Sequence, residues 1–318
     1  MRALSALAQF QGGGKLKPTR SDRGPLAAFL SPALVIMLTF FVIPVIYVIV
    51  VSMLKWNGIS APTVVWFQNF QKLFHDKSFT RSVTNNIIWA LVAGFIQVPL
   101  AMLMAIILSR KPRGWKFFRT VYFFPQVISG IALATLWRAI YSADTGLLNG
   151  LLRAIGLGHL TRDWLGTVET AFPAVLIYWV FYVGYYMVIM MADITTIDTA
   201  YYEAATIDGA SDFQQAIYIT IPLIKKTSLL TCVTLASVLG LRQFEQVYML
   251  TNGGPANTTN TMVLYMYKKM QDSNYGRASA SAVILILVGV IFIVCIRAIF
   301  TGRNEEAAAA RKRRRAMK

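Results

Sequence analysis

Charge is what this 318-residue sequence has least of: Asp, Glu, Lys and Arg make up 14% of it, against 56% hydrophobic residues, and the mean hydropathy is +0.54. A soluble domain carries about 25% charged residues because it has to cover its surface in water. This chain cannot do that, so much of its surface must face lipid. Acid is scarcer than base, with 14 Asp and Glu against 31 Lys and Arg. Cysteine is limited to Cys232 and Cys295, both inside apolar runs. Two such residues build neither a disulfide framework nor a metal knuckle. Histidine is limited to His75 and His159, each without a second ligand nearby in sequence. No GxxxxGK[ST], HExxH or GxSxG pattern occurs. Unaided ATP hydrolysis, zinc-protease chemistry and serine-hydrolase chemistry are therefore not expected. The first 26 residues lack an apolar core, so a cleaved signal peptide is not expected and targeting falls to the first span.

What is present is a series of long apolar runs. A spanning helix needs roughly 20 apolar residues, and six segments qualify: Ala27–Leu54, Asn86–Ser109, Thr120–Tyr141, Ala171–Ala192, about Thr227–Leu250, and Ala278–Ile296. The runs do not alternate as barrel strands do. Helix is the conformation that satisfies their backbone in lipid. The fold class is an all-α integral membrane protein with six transmembrane helices. The expected organisation is a basic segment over 1–26, a first span over 27–54 and an outer loop over 55–85. A core with five spans follows over 86–297, then a basic tail over 298–318.

The excess of base sets the orientation. With both ends inside, the inner segments hold twenty Lys and Arg and the outer ones nine. That bias places both termini in the cytoplasm of a bacterial or archaeal cytoplasmic membrane. Nucleic-acid binding is left only to the run Arg311–Arg315. Two outer loops carry apolar residues at helical spacing: Trp66, Phe67, Phe70, Leu73 and Phe74 in one, and Leu147, Leu148, Leu151, Leu152 and Ile155 in the other. Both read as short helices that either pack over the bundle or help seat an outer partner.

The most informative stretch is the inner loop at 193–226, with Tyr201-Tyr202-Glu203-Ala204-Ala205-Thr206-Ile207-Asp208-Gly209-Ala210-Ser211-Asp212-Phe213-Gln214 within it. Gly209 suits a left-handed helix end. Ser211 followed by Gln214 reads as a capping box opening a second helix. Pro222 is expected to break the path into the fifth span. Asp193, Asp198, Glu203, Asp208 and Asp212 make this the acidic segment of a basic face, suited to docking another protein.

This stretch resembles the EAA loop of ABC importer permeases. The match rests on Glu203-Ala204-Ala205, Gly209 and Ile221-Pro222, and Asp208 falls inside it. The string EAATIDGAS followed by ITIPLI is similar to the binding-protein-dependent sugar permeases, in the maltose and glycerol-3-phosphate branch. Leu250-Thr251-Asn252-Gly253-Gly254-Pro255-Ala256-Asn257-Thr258-Thr259 and Gly146-Leu147-Leu148-Asn149 ahead of Trp164-Leu165 add to the likeness, which covers about residues 55–296. There are departures. The usual Gly-Leu and Ile-Pro steps are here Asp193-Ile194 and Ile197-Asp198. The long outer insertion of the maltose permease is also missing, which brings the chain closer to glycerol-3-phosphate and lactose-type permeases. The resemblance implies a type I importer fold and a second, different permease chain. It further implies two ATPase subunits, which would bind ATP and magnesium, and an extracytoplasmic solute-binding protein. No cofactor is expected in this chain. The substrate it implies is a carbohydrate, with glycerol-3-phosphate or a polyol phosphate as alternative.

Polar side chains inside spans cost roughly 2.5–3.5 kcal/mol when charged and central. They therefore mark candidate path residues: Gln97, Gln126, Tyr182, Arg242 and Glu245, with Gln243 and the tyrosines Tyr178, Tyr185 and Tyr186 nearby. Arg242 and Glu245, three apart, are expected to share a helical face and to pair. Arg138, near the outer end of span three, is expected to snorkel. Ala101/Ala105 and Gly130/Ala134 permit close helix approach. A self-contained secondary transporter is the rival reading, but its spans would need coupling carboxylates and offer only Glu245. An intramembrane enzyme would need a nucleophile–base or metal pair, which is missing.

Overall fold

The computed structural model describes residues 23–301. The basic segment up to residue 22 and the tail from 302, with Arg311–Arg315, lie outside the described residues. Among the described residues the regular structure is helical apart from one two-residue antiparallel pairing, Leu54–Lys55 with Thr63–Val64. Five helices are long and apolar enough to cross a membrane: Ala28–Ser52, Lys77–Ser109, Ala171–Ile194, Asp212–Leu241 and Tyr275–Phe300. The stretch before Val51 forms a unit of its own, and residues from Val51 onward form a second.

The expected third span is not one helix. Trp115–Val127 and Gly130–Ile140 meet at 103°. The reason is local. Pro125 cannot donate into a helix and tightens the chain into a short 3₁₀ turn over Phe124–Val127. Ile128 and Ser129 are then extended, at ψ 139° and 135°. With that bent pair counted as one span, the described residues hold six.

The fifth span also differs from expectation. It begins at Asp212 rather than Thr227 and ends at Leu241 rather than Leu250. Pro222 does not break it. A π-helical turn at Ala216–Thr220 precedes Pro222 and widens the helix where the proline ring would strike the carbonyl of Tyr218, four residues back. The device is repeated: Leu38–Val42 precedes Pro44, and Ala93–Gln97 precedes Pro99. In lipid a helix that loses one hydrogen bond has no water to replace it, so a change of pitch is the cheaper solution.

The main core joins Trp89, Ala101, Ala105, Tyr178, Met187, Met190 and Ala236. Trp89 and Trp179 meet edge to face, with centroids 4.9 Å apart. A second cluster packs Leu73, Phe79, Met262 and Tyr265 against Ala280 and Ile284. Both expected outer helices form, over Gln68–His75 and Leu147–Ala154. The first packs through Leu73 yet leaves Trp66, Phe67 and Phe74 exposed. The second leaves Leu147, Leu151 and Ile155 exposed as one stripe. A full apolar lid over the bundle is therefore not what these helices make.

Candidate functional site

Three breaks in the spans converge on one cavity of about 690 Å3. Span three contributes its bend, with Pro125, Gln126 and Gly130. Span four contributes the joint between Ala171–Val180 and Gly184–Ile194, with Tyr182. Span five contributes the chain just past Leu241, with Arg242, Gln243 and Glu245. Gln97, from the π turn of span two, completes the wall, and Tyr178, Tyr185 and Tyr186 line it too. All five candidate path residues therefore border the same space.

One expectation about them fails. Arg242 and Glu245 do not share a helical face, because the helix ends at Leu241 and a new one starts at Glu245. Arg110 pairs with Asp212 and Lys269 with Asp272, whereas Arg242 and Glu245 do not pair with each other. Glu245 instead lies against Gly130. A Cβ there would sit 2.8 Å from its carboxylate Oε2, so a larger residue would push the acid out of place. Arg138 lies elsewhere. It is exposed and borders a separate cavity with Asp163 and Asn252.

Broken helices leave backbone groups that must find partners at membrane depth. Side-chain amides supply them. Gln97 Nε2 donates to the carbonyls of Trp179 and Tyr182 at 3.0 and 3.3 Å, and Gln126 Nε2 donates to Tyr182 O at 3.3 Å. The break can form because Gly184 has no side chain: a Cβ there would come within 2.1 Å of the Tyr122 carbonyl oxygen. The oxygens Gln97 Oε1 and Gln243 Oε1 are buried and have no protein partner. The cavity wall thus carries amides, phenol groups, one cation and one anion.

The inner loop is built as its residues imply. Asp198 caps the helix Thr199–Ile207, accepting from Ala200 N at 3.0 Å. Gly209 turns the chain at φ +78°. Ser211 and Gln214 form the reciprocal capping box, at 3.3 and 2.7 Å. Asp212 is held by Arg110 at the end of span two, which also donates to the Asp212 carbonyl at 2.9 Å. Asp193 is tied to span five through Thr227 Oγ1 and Ser228 N. Glu203, Ala204 and Asp208 remain exposed, and Ala205 is half-buried. Ile221 and Pro222 lie within the following helix, not in a free loop. Sequence reading missed Tyr201, Ile207 and Phe213, all well exposed, with Ile207 at 88%. Their signal was available: apolar residues beside a Gly turn, where no core reaches, suit a partner's surface.

The segment after span five is the reverse case. Thr258, Thr259, Asn260 and Thr261 are buried. Asn85 Nδ2 donates to the carbonyls of Thr258 and Asn260, both at 2.8 Å. Asn86 donates to Leu241 O at 2.6 Å and accepts from Met262 N at 2.7 Å. Thr261 Oγ1 donates to Gln243 O at 2.8 Å. Lys268 closes the edge by donating to Asn252 O at 2.8 Å, and burial holds its ammonium pKa below the usual lysine value. In the loop before span four, Asn149 is likewise buried. It donates to Ala143 O and Arg162 O and accepts from the Trp164 indole at 2.8 Å, which ties together the two halves of that motif.

Residues 97–304 match the family described as binding-protein-dependent transport system inner membrane component. The chain is 38% identical to the probable ABC transporter permease protein YurN of Bacillus subtilis, over 87% of this chain and 96% of that one. It is 33% identical to the diacetylchitobiose uptake system permease protein NgcF of Streptomyces coelicolor, over 92% and 88% of the two. Its fold is similar to that of a bacterial alginate ABC transporter solved with an alginate-pentasaccharide-bound periplasmic protein. The TM-score is 0.76 at 24% identity, covering 89% of this chain and 96% of the other. The chain belongs to the binding-protein-dependent transport system inner membrane component family.

Proposed function

We propose that this inner-membrane family member forms half of the pathway of an ATP-driven importer and passes a neutral carbohydrate through the cavity bordered by Gln97, Gln126, Tyr182, Arg242 and Glu245. A soluble binding protein would deliver the solute from outside. A second, different permease chain would complete the path. Two ATPase subunits, holding ATP and magnesium, would dock on Glu203–Gly209. Both termini would lie in the cytoplasm, as the charge bias requires.

The observation that carries this reading is the convergence of three span breaks on one polar, aromatic cavity. Backbone irregularity at membrane depth is tolerated where it lines a cavity, and amides with aromatic faces suit hydroxyl-rich solutes. Arg242 is balanced by Glu245, so the wall carries no excess of positive charge. That favours a neutral sugar over glycerol-3-phosphate. The names of relatives agree: NgcF is a diacetylchitobiose permease, and a lactose permease of Rhizobium radiobacter is 32% identical over 83% of this chain.

Reconstitution tests the reading. The chain alone in lipid vesicles is expected to show neither uptake nor ATPase activity. With its permease partner, ATPase subunits and binding protein, it should take up a di- or oligosaccharide. Solute-driven uptake by the isolated chain would support a secondary transporter. A complete complex that accepted polyol phosphates and no sugar would reject the neutral-carbohydrate assignment.

A further inference from the structure

A small groove of about 260 Å3 lies at the ends of spans two and four, apart from the cavity and beside the first residues of the acidic loop. It is lined by Ser109, Lys111, Trp115, Arg119, Ala192 and Thr195, among others. Span two ends at Ser109 and span four at Ile194, so the groove sits at the depth where hydrocarbon gives way to headgroups. No acidic residue lines it. The nearest acids in the chain are already engaged: Asp212 with Arg110, and Asp193 with Thr227 and Ser228. Among the described residues, neither Lys111 nor Arg119 has an ion-pair partner.

The backbone places these two cations on purpose-built geometry. Lys111 adopts φ +54° and Gly114 φ +82°. Lys111 N donates to Leu108 O and Trp115 N to Pro112 O. The tight turn brings Lys111 back beside the helix Trp115–Phe123, which carries Arg119 one turn further on. Trp115 stands between them, half-buried, and its ring carries the Lys116 ammonium 5.9 Å from the centroid. On the same segments Ile107, Phe118 and Val121 stay exposed, as surfaces for acyl chains would.

We infer that this groove binds the phosphate of an anionic phospholipid headgroup, with Lys111 and Arg119 as the charged donors and Trp115 as the interfacial wall. Retention of positive charge on one side of the membrane accounts for a basic loop. It does not account for two unpaired cations flanking a recess at headgroup depth, which is the arrangement that holds such lipids between transmembrane helices.

The test separates the groove from diffuse charge. The full chain is placed in phosphatidylcholine nanodiscs and titrated with phosphatidylglycerol, with retained lipid counted by native mass spectrometry. The double variant Lys111→Gln/Arg119→Gln is compared with Arg113→Gln/Lys225→Gln, which removes the same charge from exposed positions that do not line the groove. The first is expected to lose affinity about tenfold, the product of two charge-assisted contacts, and the second to stay within about twofold. Millimolar inorganic phosphate should not displace the lipid. Equal losses in the two doubles, no loss in either, or displacement by free phosphate would overturn the assignment. In the unsubstituted chain, a diazirine-bearing phosphatidylglycerol should label the 109–119 peptide preferentially. Label spread evenly over the lipid-facing helices would also overturn it, whatever the folding of the variants.

Discussion

The two loops that flank span five are both rich in polar residues and both carry a recognisable motif, yet they use that polarity in opposite ways. After the span, residues 252–261 fold inward. Asn85 donates to the carbonyls of Thr258 and Asn260, Thr261 Oγ1 donates to Gln243 O, and Thr259 to Thr261 have no exposed surface. Before the span, residues 198–211 bond to themselves and to the helix just after them, through Gln215 to Thr206 and Ala210 and through Thr220 to Tyr202. Asp198 caps its own helix, Ser211 and Gln214 cap the next, and Glu203, Ile207 and Asp208 face outward. One motif exists so that irregular backbone survives among buried spans. The other leaves a short capped helix exposed. A polar motif in a membrane protein is therefore not in itself a contact site, and burial decides which of the two it is.

The largest effect should come from breaking the inward loop. Asn86→Ala removes a donor to Leu241 O and an acceptor for Met262 N, both deep in the core. Each orphaned group costs roughly 1–3 kcal/mol, out of a total stability of about 5–15 kcal/mol. The expected outcome is a chain that fails to accumulate in the membrane, read by immunoblot of membrane fractions. Wild-type abundance would mean the loop is held by other contacts.

The outward loop should break differently. Gly209→Val forces a β-branched residue to φ +78°, costing about 1–2 kcal/mol, although its Cβ would meet nothing within 4 Å. The spans do not depend on it. Abundance should be normal while ATPase co-purification and uptake are lost. Normal association with wild-type uptake would show that this loop does not couple.

Intermediate effects belong to the cavity, where both kinds of polarity meet. Gln97→Leu withdraws the donor from Trp179 O and Tyr182 O and removes an amide from the wall. Uptake in the complete complex should fall about tenfold, the scale of one lost buried hydrogen bond, with ATPase association intact. Unchanged uptake would remove Gln97 from the path. The mildest change is Glu203→Lys, an exposed charge reversal, for which a few-fold weaker ATPase association is expected. Complete loss of the chain from the membrane would contradict its exposed role.

Much of this was legible beforehand because the signals were local. Gly209 and the Ser211–Gln214 box determine their own geometry within a few residues, and the structure has both. The apolar runs likewise announce spans, since lipid demands length and little else. What could not be read was cooperative. Pro222 looks like a breaker until a π turn four residues upstream absorbs it. Arg242 and Glu245 look like a helical pair unless one knows that the helix stops at Leu241, where Asn86 in another span donates to the freed carbonyl. The single helix expected over Thr120–Tyr141 fails because Pro125 and the extended Ile128–Ser129 step bend the chain, and tertiary partners such as Gln126 with Tyr182 make the bend affordable. The five path candidates were chosen as polar residues in apolar runs. That they border one cavity depends on breaks in three different spans.

The contrast between the loops rests on their facing different things, and site-specific labelling tests that most directly. In a background carrying Cys232→Ala and Cys295→Ala, single cysteines are placed at Asp208→Cys in the outward loop and at Ile155→Cys beside the other face's helix. They are probed with a membrane-impermeant maleimide in intact cells and in inside-out vesicles, with and without the ATPase subunits. The account predicts that Ile155→Cys reacts in cells, that Asp208→Cys reacts only in inside-out vesicles, and that the ATPase subunits protect it. Reaction of Asp208→Cys from outside, or full reactivity inside with the ATPase subunits bound, would contradict it.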